Sequence, residues 1–168
     1  MKYPLASLPR GSKIFIDANI FLYSIFGHPT LKPQCKEFLL KIEKGVYESI
    51  TSTLVLNEVM HKLILAEVTK IKRLSSERDA LRLIKEQPEI VSSLSMTWKD
   101  YTDLKKYPIA ILSIDEKIMD TAVEISKKHG LLISDSVHVA AMNSNGIISI
   151  ASNDGDFERV KGIKVWSP

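Results

Sequence analysis

The chain has 168 residues, enough for one domain with a substantial buried core, and its 45% hydrophobic and 26% charged content excludes a disordered or fibrous protein. A net charge of +3 is compatible with a polyanionic partner without establishing one. The single cysteine excludes an internal disulfide framework, and no uncharged apolar run reaches the roughly 20 residues of a membrane helix.

The first dozen residues are broken by Pro4 and Pro9 and lack the apolar core of a signal peptide. A soluble protein of the reducing cytoplasm is therefore expected, organised as one domain over residues 1–168. Lys13 to Asp17 (KIFID) predicts a short buried strand whose apolar run ends abruptly in an acid. After the turn-like His28-Pro29-Thr30, a helix is expected from about Lys32 to Lys44, with Cys35, Phe38, Leu39 and Ile42 on its buried face and Gly45 as its stop. Glu48 to Thr51 predicts a second strand. Ser52 or Thr53 then caps a helix that runs through Leu54, Glu58 and Lys62.

Ser76 with Asp79 forms a capping box for a further helix, interrupted by Pro88. Ser113 to Glu116 offers a second box, followed by a helix with Ile118, Ala122 and Ile125 on one face and Gly130 at its end. Ser134 is expected to cap the next helix, which opens with Asp135 and ends near Asn145-Gly146. Ile147 to Ala151 and Ile163 to Trp166 predict the last two strands. This alternation argues for an α/β fold, a three-layer α/β/α sandwich around a mainly parallel sheet.

The acids fall at informative places. Asp17 ends one strand and Asp154 follows another, at the sheet edge where open parallel sheets bind ligands. Asp135 lies in the first turn of a helix, where the macrodipole favours its charge. Glu58 sits among Leu54, Val55, Leu56, Val59 and Met60, so a carboxylate there needs a partner. Each has a bland alternative: a helix-start acid, a turn residue, a solvent-facing position. Brought together, four carboxylates would repel unless cations compensated, and hard oxygen donors suit Mg²⁺ or Mn²⁺ and phosphoryl chemistry. His28, His61, His129 and His138 show no ligand spacing, and His61 and His138 are expected on a helix surface or hydrogen-bonded in the core.

Phe15-Ile16-Asp17-Ala18-Asn19-Ile20-Phe21, Ser52 through Leu56-Asn57-Glu58-Val59, Ser134 through Ala141, Ser152 through Phe157 and the closing Gly162 to Pro168 together resemble the PIN-domain nucleases, specifically their VapC-like toxin branch. The resemblance runs the length of the chain. It implies catalytic and metal-binding roles for Asp17, Glu58, Asp135 and Asp154, and supporting roles for Asn19, Ser152 and Asp156. It further implies Mg²⁺- or Mn²⁺-dependent endonucleolytic cleavage of RNA leaving a 5′-phosphate, a homodimer, and a small antitoxin partner. Lys62, Lys70 and Arg73, on and after the Glu58 helix, are the candidates for holding RNA phosphates. A housekeeping RNA-processing nuclease or a non-catalytic interaction module would share the fold. An aspartyl-nucleophile phosphatase is disfavoured, because it would want an acid two residues after Asp17, where Asn19 stands.

Overall fold

The computed structural model describes residues 2–168. Six strands form one sheet: β1 (Lys2–Pro4), β2 (Lys13–Ile16), β3 (Glu48–Ser52), β4 (Ala110–Leu112), β5 (Ser149–Ala151) and β6 (Lys164–Ser167). Their order across the sheet is β1-β6-β5-β2-β3-β4, and every pairing is parallel. The helices are α1 (Ala18–Phe26), α2 (Lys32–Glu43), α3 (Thr53–Ile71), α4 (Glu77–Glu86), α5 (Glu89–Ser92), α6 (Met96–Leu104), α7 (Glu116–His129) and α8 (Ile133–Ser144). With the right-handed crossovers usual for parallel strands, α1 to α6 cover one face and the α7–α8 pair the other. The three-layer α/β/α sandwich is as expected.

Ile14, Phe15 and Ile16 are wholly buried, which is why β2 shows a continuous apolar run rather than alternation. Their cluster takes in Cys35, Phe38, Leu39 and Ile42 of α2, so the cysteine is the buried thiol its spacing predicted. A second cluster, Val68, Ala80, Ile90 and Leu94 with Leu65, seals α4 and α5 onto the outer part of α3. A third joins Ile118 and Ala122 of α7 to Val137, Ala140 and Ala141 of α8.

The helix signals hold in most places. The Ser52 hydroxyl accepts from Val55 N–H and the Ser76 hydroxyl from Asp79 N–H, while Gly130 closes α7 at φ 65°. Two caps differ from expectation. Asp115, not Ser113, caps α7 by accepting from Ile118 N–H at 2.9 Å, because Ser113 lies in the extended segment after β4. Helix α8 starts at Ile133 with no side-chain cap, so Ser134 falls inside the first turn and Asp135 supplies the favourable charge there. β5 pairs only over Ser149–Ala151; Ile147 is buried, but Ile148 turns outward and is 54% exposed. Among the described residues, no helix is long and apolar enough to cross a membrane.

The strand order reverses between β2 and β5. From β2 the chain steps outward to β3 and β4, then returns through α7 and α8 to place β5 on the other side of β2. The loops diverge at the C-terminal ends of these two central strands, the general ligand position in open α/β sheets.

Candidate functional site

Asp17 stands at the C-terminal end of β2, with its backbone N–H donating to Ala151 O of β5. Its extended backbone makes it the N-cap of α1, and one carboxylate oxygen accepts from Ala18 N–H at 2.6 Å. The other accepts from the Ser152 hydroxyl at 2.6 Å and from the Asn19 side-chain amide. Ser152 is also wholly buried and works as a hub: its oxygen accepts from Asn19 Nδ2 at 3.0 Å and from Asp154 N–H at 2.9 Å. Asn19 Oδ1 in turn accepts from Asn153 N–H at 3.2 Å. Asn19 and Ser152, two of the three supporting residues expected from sequence, thus bind the end of β2 to the loop after β5.

That loop carries Asp154 and Asp156. Asp154 is exposed, and its Oδ1 accepts from Asp156 N–H at 2.8 Å, a local turn. Asp156 pairs with Arg159 at 2.9 Å, and Arg159 also donates to Gly130 O, in the turn ahead of α8.

Glu58 projects from the second turn of α3 and its side chain is 30% exposed, against the sequence alternative that it simply faced solvent. It meets His138 of α8, whose Nε2 lies 3.4 Å from Glu58 Oε2. One donor atom each from Asp17, Glu58 and His138 falls within 4.8 Å of the others. Asp135 lies one turn before His138 on α8 and feels the charges of Asp154, Asp17 and Asp156 as well as that of the imidazole.

The electrostatics are those of crowded negative charge. Burial pushes the Asp17 carboxyl above its usual range, only partly offset by His138, Ser152 and Ala18 N–H, while Glu58 adds to the rise. Burial and then the neighbouring Asp154 push Asp135 up to about 6, with Asp17 and Asp156 adding to it. For His138, burial opposes the charged form, but Glu58, Asp17 and Asp135 outweigh it and hold its pKa above the ordinary value. Acids crowded enough to push the Asp17 and Asp135 carboxyls above their usual range fit a divalent cation, and their hard oxygen donors match Mg²⁺ or Mn²⁺.

The fold therefore sets Asp17 beside Glu58, places Asp135 within electrostatic reach of Asp17, Asp154 and Asp156, and ties Asp17 to the Asp154 loop through Ser152 and Asn19. It does not bring all three expected basic residues to these acids. Lys62 is one turn beyond Glu58 and pairs with Glu77 at 2.7 Å. Lys70 is twelve residues from Glu58, about 18 Å along the helix axis, and lines a separate groove with Phe26, Glu67 and Met96. Arg73 lies beyond the end of α3 in a left-handed turn at φ 52°. Conversely, His138 was set aside in the sequence and sits in the cluster, 1% exposed. The usable signal was its i+3 spacing from Asp135, which places both on one helix face.

The PIN domain family matches residues 14–163. Several solved structures share the fold. VapBC2 from Rickettsia felis, bound to a DNA fragment from its promoter, superposes with a TM-score of 0.56 at 14% identity, covering 92% of this chain and 98% of its own. VapC20 from Mycobacterium tuberculosis, described as a sarcin-ricin loop cleaving toxin, gives 0.52 at 19% identity over 86% and 92%. FitAcB from Neisseria gonorrhoeae gives 0.53 at 18% identity over 91% and 96%. No curated protein sequence matches the chain.

Proposed function

This chain belongs to the PIN domain family, and from that premise we propose that it is a divalent-metal-dependent endoribonuclease, the toxin of a toxin–antitoxin pair. The observation that supports the nuclease reading is the clustering of Asp17 with Glu58, and the electrostatic coupling of Asp135 to Asp17 and Asp154, at the ends of β2 and β5. Nothing in the core requires that crowding, which raises Asp17 and Asp135 and costs stability. Costly polar clusters of this kind are the mark of functional sites. The toxin reading draws on the structural neighbours, which include VapBC2 from Rickettsia felis and the sarcin-ricin loop cleaving toxin VapC20.

In this reading Asp17, Glu58, Asp135 and Asp154 hold Mg²⁺ or Mn²⁺. When bound, such an ion lowers the pKa of water and offsets the charge of the scissile phosphate. The chain's own contribution is placement. Ala18 N–H, Ser152 and Asn19 fix both oxygens of Asp17, so its orientation is settled before substrate arrives. Ser152 couples that carboxylate to the backbone of Asp154, keeping the two acids in register. Asp156 holds the turn after Asp154 through its N–H and through Arg159. Of the three expected basic residues, Lys62 is the one a single turn from Glu58, and it meets RNA phosphates once released from Glu77. A homodimer, an antitoxin covering the acidic cluster and a cytoplasmic location belong to the same proposal.

The test is cleavage of a panel of structured RNAs and matched DNAs with Mn²⁺, Mg²⁺ or chelator, wild type beside Asp17→Asn. The expected result is metal-dependent cutting of RNA that the substitution abolishes. Cutting of DNA alone would overturn the RNA assignment. No cutting by a folded, inhibitor-free sample would point to a non-catalytic module.

A further inference from the structure

The chemistry proposed above makes no use of His138. Its ring is buried between Phe15 and Phe157, with centroid separations of 5.7 and 6.4 Å. Nδ1 is buried without a hydrogen-bond partner among the described residues, so the ring's polar neighbours lie on its Nε2 edge.

The Nε2 spacing is informative. At 3.4 Å from Glu58 Oε2, the contact is at the far end of the hydrogen-bond range. Two donors on one ion, with bonds of about 2.1 Å, sit about 3.0 Å apart when adjacent and about 4.2 Å when opposite. The Asp17, Glu58 and His138 donor atoms all lie within 4.8 Å of one another, so a contraction of some tenths of an ångström brings them to that spread, and the 3.4 Å between Nε2 and Oε2 already lies inside it.

We propose that His138 Nε2 is a ligand of the cation held by Asp17 and Glu58, making the centre a mixed nitrogen–oxygen site that favours Mn²⁺ over Mg²⁺. The inference rests on the carboxylate metal site proposed above and adds a donor to it. Mg²⁺ prefers oxygen ligands and retained waters, whereas imidazole suits the later divalent metals. Coordination through Nε2 leaves the ring proton on Nδ1, which finds no acceptor to strengthen the imidazole. The histidine therefore contributes selectivity more than tight binding.

Pulsed electron paramagnetic resonance of the Mn²⁺-loaded protein tests this without any activity measurement. Wild type is compared unlabelled and with ¹⁵N-histidine, alongside His138→Leu and His138→Gln, each checked for a native circular dichroism spectrum. The expected result is a ¹⁴N coupling that becomes ¹⁵N on labelling and vanishes in both variants while Mn²⁺ stays bound. Mn²⁺ affinity then falls about tenfold in His138→Leu and Mg²⁺ affinity stays within about twofold. Bound Mn²⁺ with no histidine coupling, or a coupling that survives both substitutions, overturns the inference and leaves the carboxylate site standing. A folded wild type that binds no Mn²⁺ at all overturns both.

Discussion

Asp135→Asn should make the metal-free protein more stable at pH 8 while removing its activity. The Asp135 carboxyl is pushed by burial and by Asp154 from 3.8 to about 6, and no hydrogen bond to its oxygens compensates among the described residues. Because the folded-state value is raised, the favourable state is the protonated one. Its stabilising contribution is complete below the unfolded value of 3.8 and is lost as pH rises through about 6. The gap between those values corresponds to about 3 kcal/mol. The carboxyl is only half-buried, and solvent screening reduces this to about 1–2 kcal/mol. Asparagine keeps the shape and removes the charge, at a loss of about 0.5 kcal/mol of favourable interaction with the α8 macrodipole. A net gain of about 1 kcal/mol at pH 8 is therefore expected in urea unfolding with chelator present, shrinking to nothing or reversing near pH 4. A variant less stable than wild type at pH 8, or a gain of equal size at both pH values, would refute the view that Asp135 sits in uncompensated negative charge.

Other consequences can be checked separately. Glu67 of α3 accepts from Ser95, Met96 and Thr97 N–H at 3.1, 3.0 and 2.7 Å, standing in for the missing side-chain cap of α6, so Glu67→Ala should lose about 2–4 kcal/mol in chemical denaturation; a loss below about 0.5 kcal/mol would remove that role. Burial favours the neutral form of Glu67, but the hydrogen bonds from Thr97, Met96 and Ser95 win and hold its pKa below 4.5. Its contribution is thus present above 4.5 and lost as pH falls through the lower folded value, a trend that should be missing from the alanine variant. Ser152→Ala should cut RNA cleavage about 10–100-fold with the fold intact, and Ser152→Thr should restore much of it, since the hydroxyl joins Asp17 to Asp154. Lys62→Ala should lower the slope of log affinity against log salt by about 1, measured on a bound RNA in the absence of metal; an unchanged slope would place Lys62 outside the RNA path.

Which parts of this molecule could be foreseen follows from how far apart the interacting residues lie. Local signals carried well: Ser52, Ser76 and Gly130 mark helix ends because a cap or a left-handed turn needs only its own neighbours. Helix α1 escaped prediction because ANIFLYSIF is apolar on nearly every side, so it shows no stripe to distinguish it from a continuation of β2. β1 and β4 are three residues each and exist as strands only through pairing with β6 and β3, information no short window contains. The site divides in the same way. Asp17 was legible because a buried strand ending in an acid is locally unusual, whereas its hydrogen bond to Ser152 spans 135 positions and depends on β5 being laid beside β2. Lys70 and Arg73 failed to reach the site for the converse reason: closeness to Glu58 in sequence becomes distance when a rigid helix intervenes. His138 is the hydrogen-bonded core residue its sequence allowed, and its place beside Glu58 and Asp17 was foreshadowed only by Asp135, three residues earlier on its own helix. A mixed carboxylate–imidazole site is assembled from whichever residues face one crevice, so same-face spacing to an acid is a better guide to its members than the repeat of any one ligand type.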